Sequence, residues 1–411
     1  MSDDRVDPSI VTPVGTSGFL ATLFAPIGRA LGGPTVQGFG ARVAARYLRK
    51  PFRVGSRVFA VSHADVVAVL ERDLDFGIAA VNARKIEEVN GGRFILGMDR
   101  SGALERERRA LYSALSRVDM QRLKAGVEAE IAQRLDALQP GDSIDVVGGY
   151  ARPIAAHRAQ RLFGVTGPDD GTFMEVTRSI FGHTFLNLSD DEAIRDRGMR
   201  AGRLMQRWLA EEIARRRGAA EYGDDLMGAL MRGGELDDEG VRRTLGGMLV
   251  GSVDTTASCV AKIVAVIRRE PSLKLSMRRD RDDLDRLYNW CLEALRVWSH
   301  NPLVLREAAA DTKIGETEVK AGERIFVFTL AAMYDPSVFV DPRRLRPDRR
   351  RSAYLHFGGG LHPCSGRALN RFQLPLLVRG LIDRDVGGIG RVGWAGGFPH
   401  RLEARLGRKA D

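Results

Sequence analysis

The residues with the most specific chemical potential lie in one short stretch, residues 356–368. Three adjacent glycines at positions 358–360 leave the backbone free of side chains, so that a flat ligand can approach it closely. Cys364 follows them, just before a helical pattern that begins at Ala368. A cysteine at a helix start lies at the positive end of the helix dipole, so we expect its pKa to be lowered. Beside an aromatic wall such as Phe357, its thiolate would suit the axial iron ligand of a large planar cofactor, haem.

Two other interpretations of this stretch remain open from the residues alone. Cys364 could be a reactive or buried cysteine in a glycine turn, or it could bind zinc together with His356 and His362. Zinc usually requires a fourth protein ligand or an open catalytic position. No other pair of Cys or His residues in the sequence has ligand spacing, so we favour a haem-binding cysteine.

A resemblance to a known family adds to this interpretation. The stretch resembles the haem-ligand loop of the cytochrome P-450 superfamily at five positions: Phe357, Gly360, His362, Cys364 and Gly366. The resemblance implies that Cys364 ligates the iron of haem b and that the other four positions contact the cofactor. Pro363 before the cysteine and Ser365 after it depart from the usual loop, in which an apolar residue follows the cysteine.

A second stretch with chemical potential lies within a long apolar segment. A helical pattern starts near Asp237 and stops before Pro271, which predicts one helix about 50 Å long. Asp254 and Thr255 lie inside it, where a carboxylate is costly to bury without partners or a role. A threonine within a helix can bond the carbonyl one turn back and open the helix. From this stretch alone we would favour a surface or capping carboxylate beside a packed threonine.

The same superfamily has an acid–alcohol pair in its distal helix, in the pattern (Ala/Gly)-Gly-x-(Asp/Glu)-Thr. Residues 251–255 resemble this pattern, with Ser252 in place of the second glycine. Taken together with the cysteine loop, the resemblance implies that Asp254 and Thr255 are catalytic residues. They would deliver protons while O₂ is activated.

Two arginines are implied as ligands of the haem propionates. By register Arg108 matches the first of them, although Leu104 stands where the family has His or Trp. Arg306, in a predicted strand, matches the second, and Leu303 and Val304 would line the substrate pocket. The alternatives from the residues alone are a solvent-facing arginine run at 106–109 and an exposed strand arginine at 306.

A structural triad is also implied. Glu293 and Arg296 are three residues apart in a helical pattern, so that they share one face and can pair. The segment 341–349 resembles the family's later arginine segment, with Arg344 as the third member. By resemblance, this triad supports the frame of the cysteine loop.

The elements that must position these residues are mostly helical. Shorter strand patterns lie at 52–61, 141–146, 304–306, 312–319 and 324–327. The sequence therefore predicts a mainly α fold with smaller β-sheets (α+β), and the resemblance implies the cytochrome P-450 fold around a buried haem. We expect residues 1–15 to be mobile and residues 16–411 to form a single domain.

Composition narrows the classes of protein that fit. The three cysteines are too scattered for a disulfide framework, which favours a reducing, cytoplasmic location. No apolar run looks long enough to span a bilayer, and Asp3 and Asp4 replace the basic start of a signal peptide, so we expect no transmembrane segment. The net charge is +10, but the arginines are spread along the chain, so we expect no nucleic-acid partner.

The resemblance implies a monooxygenase that uses O₂ to oxidise, commonly to hydroxylate, an apolar small molecule. The chain has no flavin or nucleotide motif, so electrons from NAD(P)H would arrive through a separate ferredoxin and its reductase. Arg109, Arg367 and Arg371 are candidate docking residues for that ferredoxin. The alternatives are a peroxide-using or oxygen-independent haem-thiolate enzyme, and a haem-binding or ligand-binding protein without catalysis.

Overall fold

A computed structural model describes residues 34–187, 189–395 and 398–409; the segment 1–15, predicted to be mobile, lies outside them. Most of this part of the chain is helical. The helices are α1 Pro34–Tyr47, α2 His63–Glu71, α3 Ala79–Asn90, α4 Gly102–Arg117, α5 Met120–Asp136, α6 Arg152–Phe163, α7 Asp170–Phe181, α8 Glu192–Ala219, α9 Leu226–Gly233, α10 Asp238–Val250, α11 Asp254–Arg269, α12 Pro271–Arg279, α13 Leu284–Val297, α14 Thr329–Ala332 and α15 Arg367–Asp383. π-helical turns at Val146–Ala151 and Gly182–Leu186 adjoin α6 and α7.

The strands are short and form small sheets. They are β1 Phe52–Val54, β2 Arg57–Ala60, β3 Phe76–Gly77, β4 Ser143–Asp145, β5 Val304–Ala308, β6 Thr312–Ile314, β7 Thr317–Val319, β8 Arg324–Val327, β9 Gly393–Ala395, β10 Phe398–Arg401 and β11 Glu403–Arg405. The largest sheet has the order β1-β2-β8-β5-β3, in which only the β2–β8 pair is parallel. These elements confirm the predicted class, mainly helical with smaller sheets.

Local capping explains why several helices begin where the sequence predicts. The Ser62 hydroxyl accepts a hydrogen bond from the Asp65 amide at the start of α2, and the Ser101 hydroxyl accepts one from the Leu104 amide at the start of α4. Such caps satisfy amides that have no partner within the helix. The cap at Ser101 sets the register of α4, and hence the face on which Arg108 lies.

The long segment predicted as one helix is interrupted. α10 ends at Val250 and α11 begins at Asp254, with a turn at residues 251–253 between them. Contrary to the expectation from the sequence, Asp238–Arg269 is long and apolar enough to span a membrane by length and composition. However, 78% of its most apolar window is buried inside the protein, as in a core helix.

Two large apolar clusters form the interior. One surrounds α11, α13 and α15, and the other is built mainly from α4, α8, α9 and α10. Phe372 of α15 packs against both clusters. The predicted cysteine loop leads directly into α15, the helix that carries Phe372.

Candidate active site

The predicted cysteine loop closes as a tight turn before α15. The Cys364 amide donates to the Phe357 carbonyl at 2.8 Å, and the Arg367 amide donates to the Cys364 carbonyl at 3.2 Å. Gly360 has a φ of +62°, and a Cβ there would lie 1.8 Å from the Leu70 carbonyl oxygen. A glycine is thus required because the end of α2 packs on the loop, a reason different from the flat ligand that the sequence suggested.

Cys364 faces an internal space. Its side chain is accessible, yet it is desolvated by the protein around it. Burial raises the pKa of the Cys364 thiol, and the Gly366 amide and the Arg367 guanidinium oppose this only in part. The prediction of a lowered pKa is therefore wrong for the polypeptide by itself, because desolvation outweighs the helix start. A thiolate at this position needs a cation beside it.

One face of α11 and the turn before it border the same space. Gly251 is exposed and Thr255 and Cys259 are half-buried, whereas the residues between them are buried. Their spacing of four residues places them on one helix face. Burial raises the pKa of Cys259 to about 12, and Cys364 is close enough to add to this shift. The structure therefore brings Cys364 near the accessible face of α11, which joins the two stretches singled out from the sequence.

Three cationic or basic side chains gather beside the loop. Arg306 is 6% exposed, and its Nη1 donates to the Leu305 carbonyl at 2.8 Å. Arg108 donates to the Leu361 carbonyl within the loop, which settles the face of α4 on which it lies. Burial, with Arg306 and Arg108 nearby, lowers the pKa of His362 to about 4, and the His362 Nδ1 is buried without a hydrogen-bond partner.

The positive charges of Arg306 and Arg108 in this basic cluster are not neutralised by ion pairs within the described residues. Burial lowers the pKa of Arg306 to about 10. Asp99 is the carboxylate that acts on Arg306, but its Oδ1 already accepts from the amides of Ile78 and Ala79. Buried cations are normally paired, so the cluster suits anionic groups such as the two propionates of haem.

The interruption between α10 and α11 exposes the Thr255 hydroxyl. Thr255 Oγ1 donates to the Gly251 carbonyl at 2.5 Å, the bond one turn back that the sequence predicted. Ser252 Oγ donates to the Leu249 carbonyl at 2.7 Å. The two hydroxyl groups thus donate hydrogen bonds to backbone carbonyls at the turn, where the regular helix geometry is interrupted. Thr255 can turn between this carbonyl and the interior space.

Asp254 is buried and paired, so it is not the surface carboxylate that its stretch alone favoured. It is 2% exposed, and its Oδ1 accepts from Arg178 Nε at 2.8 Å and lies 3.0 Å from Arg152 Nε. Its Oδ2 is buried without a hydrogen-bond partner. One oxygen anchors the carboxylate between α6 and α7, and the other is free to take a water or a proton.

A small apolar cavity, with a volume of about 20 Å³, lies between α3, α7 and the π-helical turn after it, α8 and α10. Its apolar lining includes Ile86, Val89, Phe94, Ile180, Phe185 and Val250. The Phe94 ring lies against α10 where a Cβ on Gly247 would be 2.3 Å from it. The polar lining groups Asn90 and Gln206 are already bonded to backbone carbonyls. The lining of this small cavity is therefore mainly apolar.

The predicted Glu–Arg pair is present, but its third member differs from the prediction. Arg296 and Glu293 are both fully buried and share two hydrogen bonds, of 2.9 and 2.8 Å. The second cation is Arg349, whose Nε lies 3.4 Å from Glu293 Oε1. Arg344 contributes only its carbonyl, which accepts from Arg296 at 3.0 Å, and its side chain is exposed. The assignment of Arg344 as the third member is therefore wrong.

Sequence reasoning missed the arginines that hold the helix interruption. Arg152 and Arg178 reach Asp254 from α6 and α7, which are distant in the sequence. Local patterns carry no signal for such contacts, because one arginine on a polar helix face looks like any other. The only hint was general: a buried carboxylate at Asp254 requires cations from somewhere.

The residues present fit a haem group. An accessible thiol deep in the protein, an unpartnered His362 Nδ1 and two arginines without carboxylate partners match an iron ligand and two propionate ligands in kind. Zinc fits poorly, because His356 Nε2 is bonded to the Leu292 carbonyl and no cluster of metal-ligating side chains occurs among the described residues. The site therefore favours haem over zinc.

Comparisons with known proteins agree with this assignment. The sequence profile of the cytochrome P450 family matches residues 200–384. The chain is 29% identical over 282 residues to cytochrome P450 105C1 of a Streptomyces species, covering 68% of this chain and 71% of that protein. It is also 29% identical over 351 residues to biflaviolin synthase CYP158A1 of Streptomyces coelicolor, covering 82% of each. At 27% identity it matches 6-deoxyerythronolide B hydroxylase of Saccharopolyspora erythraea over 64% of this chain and 63% of that one.

Solved structures share the fold. Ligand-free cytochrome P450 TbtJ1 superposes with a TM-score of 0.77 at 22% identity, covering 92% of this chain and 98% of that one. P450BioI, solved in complex with an acyl carrier protein that carries a fatty acid, has the same TM-score at 18% identity, with coverages of 90% and 98%. Together with the cysteine loop, the family profile and the sequence relatives support a cytochrome P450 monooxygenase of the bacterial type.

Proposed function

We propose that this protein binds haem b through Cys364 and uses O₂ to oxidise an apolar small molecule, with electrons from a separate ferredoxin. The observation that carries the proposal is that Cys364 is accessible yet surrounded by protein and lies near the α11 face of Thr255 and Cys259. When bound, haem would supply O₂ activation at its iron. The remaining chemistry belongs to the residues of this chain.

The first task of the chain is to hold the cofactor. Cys364 would bind the iron, and the metal's charge would offset the burial that raises the pKa of the free thiol. Arg108, Arg306 and His362 would bind the propionates. Phe357, Gly360 and Gly366 would shape the loop around the sulfur, with Gly360 fixing the loop to α2.

The second task is to move protons. We assign this to Thr255, whose hydroxyl borders the interior space, and to Asp254, whose Oδ2 has no hydrogen-bond partner. Arg152 and Arg178 hold the carboxylate in place through its Oδ1. Asp254 Oδ2 would take up a proton from a water and pass it, through a second water, to Thr255 Oγ1, which would give its own hydroxyl proton to the interior site.

The third task is to bind substrate and exclude water. The small cavity beside α10 is lined mainly by aliphatic and aromatic side chains, so this side of the site would favour apolar groups of a substrate. Leu303 and Val304, which precede Arg306 in and before β5, are half-buried and remain candidates for the wall near the cofactor.

Electrons would enter near the cysteine loop. Of the candidate docking residues, Arg371 pairs with Asp285 at 2.9 Å and Arg109 pairs with Glu235 at 2.9 Å, both near the surface. Exposed pairs of this kind are weak and can exchange partners. Changing Arg109, Arg367 and Arg371 to Glu should slow ferredoxin-driven reduction; unchanged reduction would remove this docking site from the proposal.

The spectrum of the ferrous carbon monoxide complex tests the haem assignment. The holoprotein should show the red-shifted Soret band of thiolate ligation, and Cys364→Ala should lose it. Cys259→Ala is the matched control, since Cys259 borders the same space but should not bind the iron. A colourless wild-type protein after haem supply, or a Cys364→Ala variant that keeps the thiolate spectrum, would refute the proposal.

Turnover with O₂ and a ferredoxin chain should exceed turnover with peroxide, because the chain has an acid and an alcohol placed to handle protons. Thr255→Ala should divert electrons from product to peroxide or water. If the wild-type protein and Thr255→Ala turn over equally well with peroxide, the peroxide-using alternative would be favoured. Tight ligand binding without oxygen uptake would favour a binding protein.

A further inference from the structure

Arg158 of α6 is an unusual side chain to find in this interior. It is 3% exposed, and its Nη2 donates to the Ser252 carbonyl at 2.7 Å. Its Nε and Nη1 are buried without hydrogen-bond partners. Among the residues that the structure describes, no carboxylate lies within ion-pair distance of it, and burial alone lowers its pKa to about 10.

A buried arginine elsewhere in the chain shows what ordinary pairing looks like. Arg216 of α8 is 6% exposed, but it forms ion pairs with Glu212 and Asp225 at 2.7 Å each and donates to two backbone carbonyls. Its charge is therefore neutralised where it is buried. Arg158 has no such compensation, so its charge costs stability that packing an apolar side chain would avoid.

The contact of Arg158 falls at the interruption between α10 and α11. The Ser252 carbonyl accepts from Arg158 Nη2 and also from Thr256 Oγ1 at 3.1 Å. Thr256 Oγ1 in turn accepts from Gln373 Nε2 at 2.7 Å. Gln373 lies on α15, the helix that begins three residues after Cys364. One chain of buried hydrogen bonds thus joins α6, the interruption and the helix behind the cysteine loop.

We propose that Arg158 is a positioning residue: by taking the Ser252 carbonyl it holds the helix interruption open and keeps Thr255 and Asp254 aligned with the space above Cys364. Thr256 and Gln373 complete this network from the other side. The inference rests on the proposed role of Asp254 and Thr255 in proton delivery. Arg158 itself touches neither substrate nor cofactor, and it transfers no proton.

The physical reason is that an interrupted helix tends to close. A regular helix would pair the Ser252 carbonyl with the Thr256 amide and leave the interior face continuous. A charged donor at this carbonyl competes with that pairing, since hydrogen bonds from charged groups are the stronger ones. A charge without a counter-ion is retained here because its position serves the site, as strained or costly features often do.

Amide hydrogen exchange of the resting ferric holoprotein, which needs no turnover, tests the proposal. In Arg158→Met, exchange of the backbone amides at 249–257 should change by about tenfold, the effect expected when one charged hydrogen bond is lost. The melting temperature should stay the same or rise, because an uncompensated buried charge is removed. During turnover, the fraction of electrons recovered in product should fall several-fold, while the ferrous carbon monoxide spectrum stays unchanged.

Three variants provide the controls. Arg158→Lys keeps the charge and a donor, so it should restore part of the exchange pattern and of the coupling to product. Arg216→Met should lower the melting temperature, since it strands Asp225 and Glu212, but it should leave coupling unchanged. Thr256→Val removes the other donor to the Ser252 carbonyl and gives an independent test if Arg158→Met does not fold. It should also perturb exchange at 249–257 and lower coupling.

The outcomes separate this inference from the proposed function. If Arg158→Met behaves like Arg216→Met, with a lower melting temperature and normal coupling, Arg158 is only a packing residue and the inference fails. If Thr256→Val leaves both exchange and coupling unchanged, the network has no positioning role. If Thr255→Ala keeps normal coupling, the proposed proton route fails first, whatever the Arg158 variants do.

Discussion

Replacing Arg349 should destabilise the protein far more than replacing Arg344, although both lie in the same arginine-rich segment. The Arg349 Nε lies 3.4 Å from the fully buried Glu293 carboxylate. Its Nη1 donates to the Val340 carbonyl at 2.8 Å, and its Nη2 donates to the Arg344 carbonyl at 3.1 Å. The Arg344 side chain is exposed, and its carbonyl would remain in any side-chain variant.

The expected magnitude follows from these contacts. Hydrogen bonds to charged groups contribute about 1.5–3 kcal/mol each, and breaking a buried ion pair completely costs about 3–5 kcal/mol. Glu293 keeps Arg296 and the Tyr354 hydroxyl, which donates to it at 2.6 Å. We therefore expect Arg349→Met to lower the free energy of unfolding by about 3 kcal/mol. Arg344→Met should change it by less than about 0.5 kcal/mol, as for most surface substitutions.

The assay is urea and thermal unfolding of both variants at equal haem saturation, because a bound cofactor shifts the apparent stability of the folded state. Absorbance of the cofactor and far-ultraviolet circular dichroism should report the same order of stability. Equal losses in Arg349→Met and Arg344→Met, or a larger loss in Arg344→Met, would refute the assignment of Arg349 as the second cation of Glu293.

Three further predictions concern the loop, the cofactor and pH. Gly360→Ala should lower the free energy of unfolding by at least about 2 kcal/mol and lower the yield of haem-loaded protein. The reason is that the φ of Gly360 is positive and a Cβ there would overlap the Leu70 carbonyl. Gly359→Ala is the control, because a Cβ at Gly359 would have no contact closer than 3.6 Å. Arg306→Leu should speed haem transfer to an acceptor protein by about tenfold or more, through loss of a charged hydrogen bond. Burial lowers the pKa of His157, but the carboxylates on both sides of its ring outweigh this and raise it above the ordinary value. Its stabilising contribution should be complete below about pH 6.5 and be lost as pH rises through the raised folded-state pKa, and His157→Gln should abolish that part of the pH dependence of the melting temperature.

The interior site also shows what several arginines of this basic chain bind. Several arginines that look interchangeable in the sequence have separate structural duties. Arg152 and Arg178 form ion pairs with Asp254, and Arg349 lies beside Glu293. Arg306 forms no ion pair within the described residues and suits an anionic ligand. The net charge of +10 therefore says little about a nucleic-acid or membrane partner.

Local features of the site were predictable from the sequence by itself. The stretch around Cys364, the capped start of α4 and the short paired strands depend on residues close together in the chain. Glycine, capping serine and period-two patterns act over a few residues, so they can be recognised without a partner. The superfamily resemblance adds Asp254, Thr255 and Arg306 as predicted site residues, because the order and spacing of its motifs are themselves local signals.

Features that depend on distant pairing were decided only by the tertiary structure. In the tertiary structure Arg349, and not Arg344, is the second cation of Glu293. The long predicted helix is interrupted at residues 251–253, and Arg158 donates to the Ser252 carbonyl. The tertiary structure also raised the pKa of Cys364, where the helix start alone predicted the reverse. The physical reason is the same in each case: desolvation and long-range ion pairs depend on what the fold places nearby, and sequence spacing does not encode that neighbourhood.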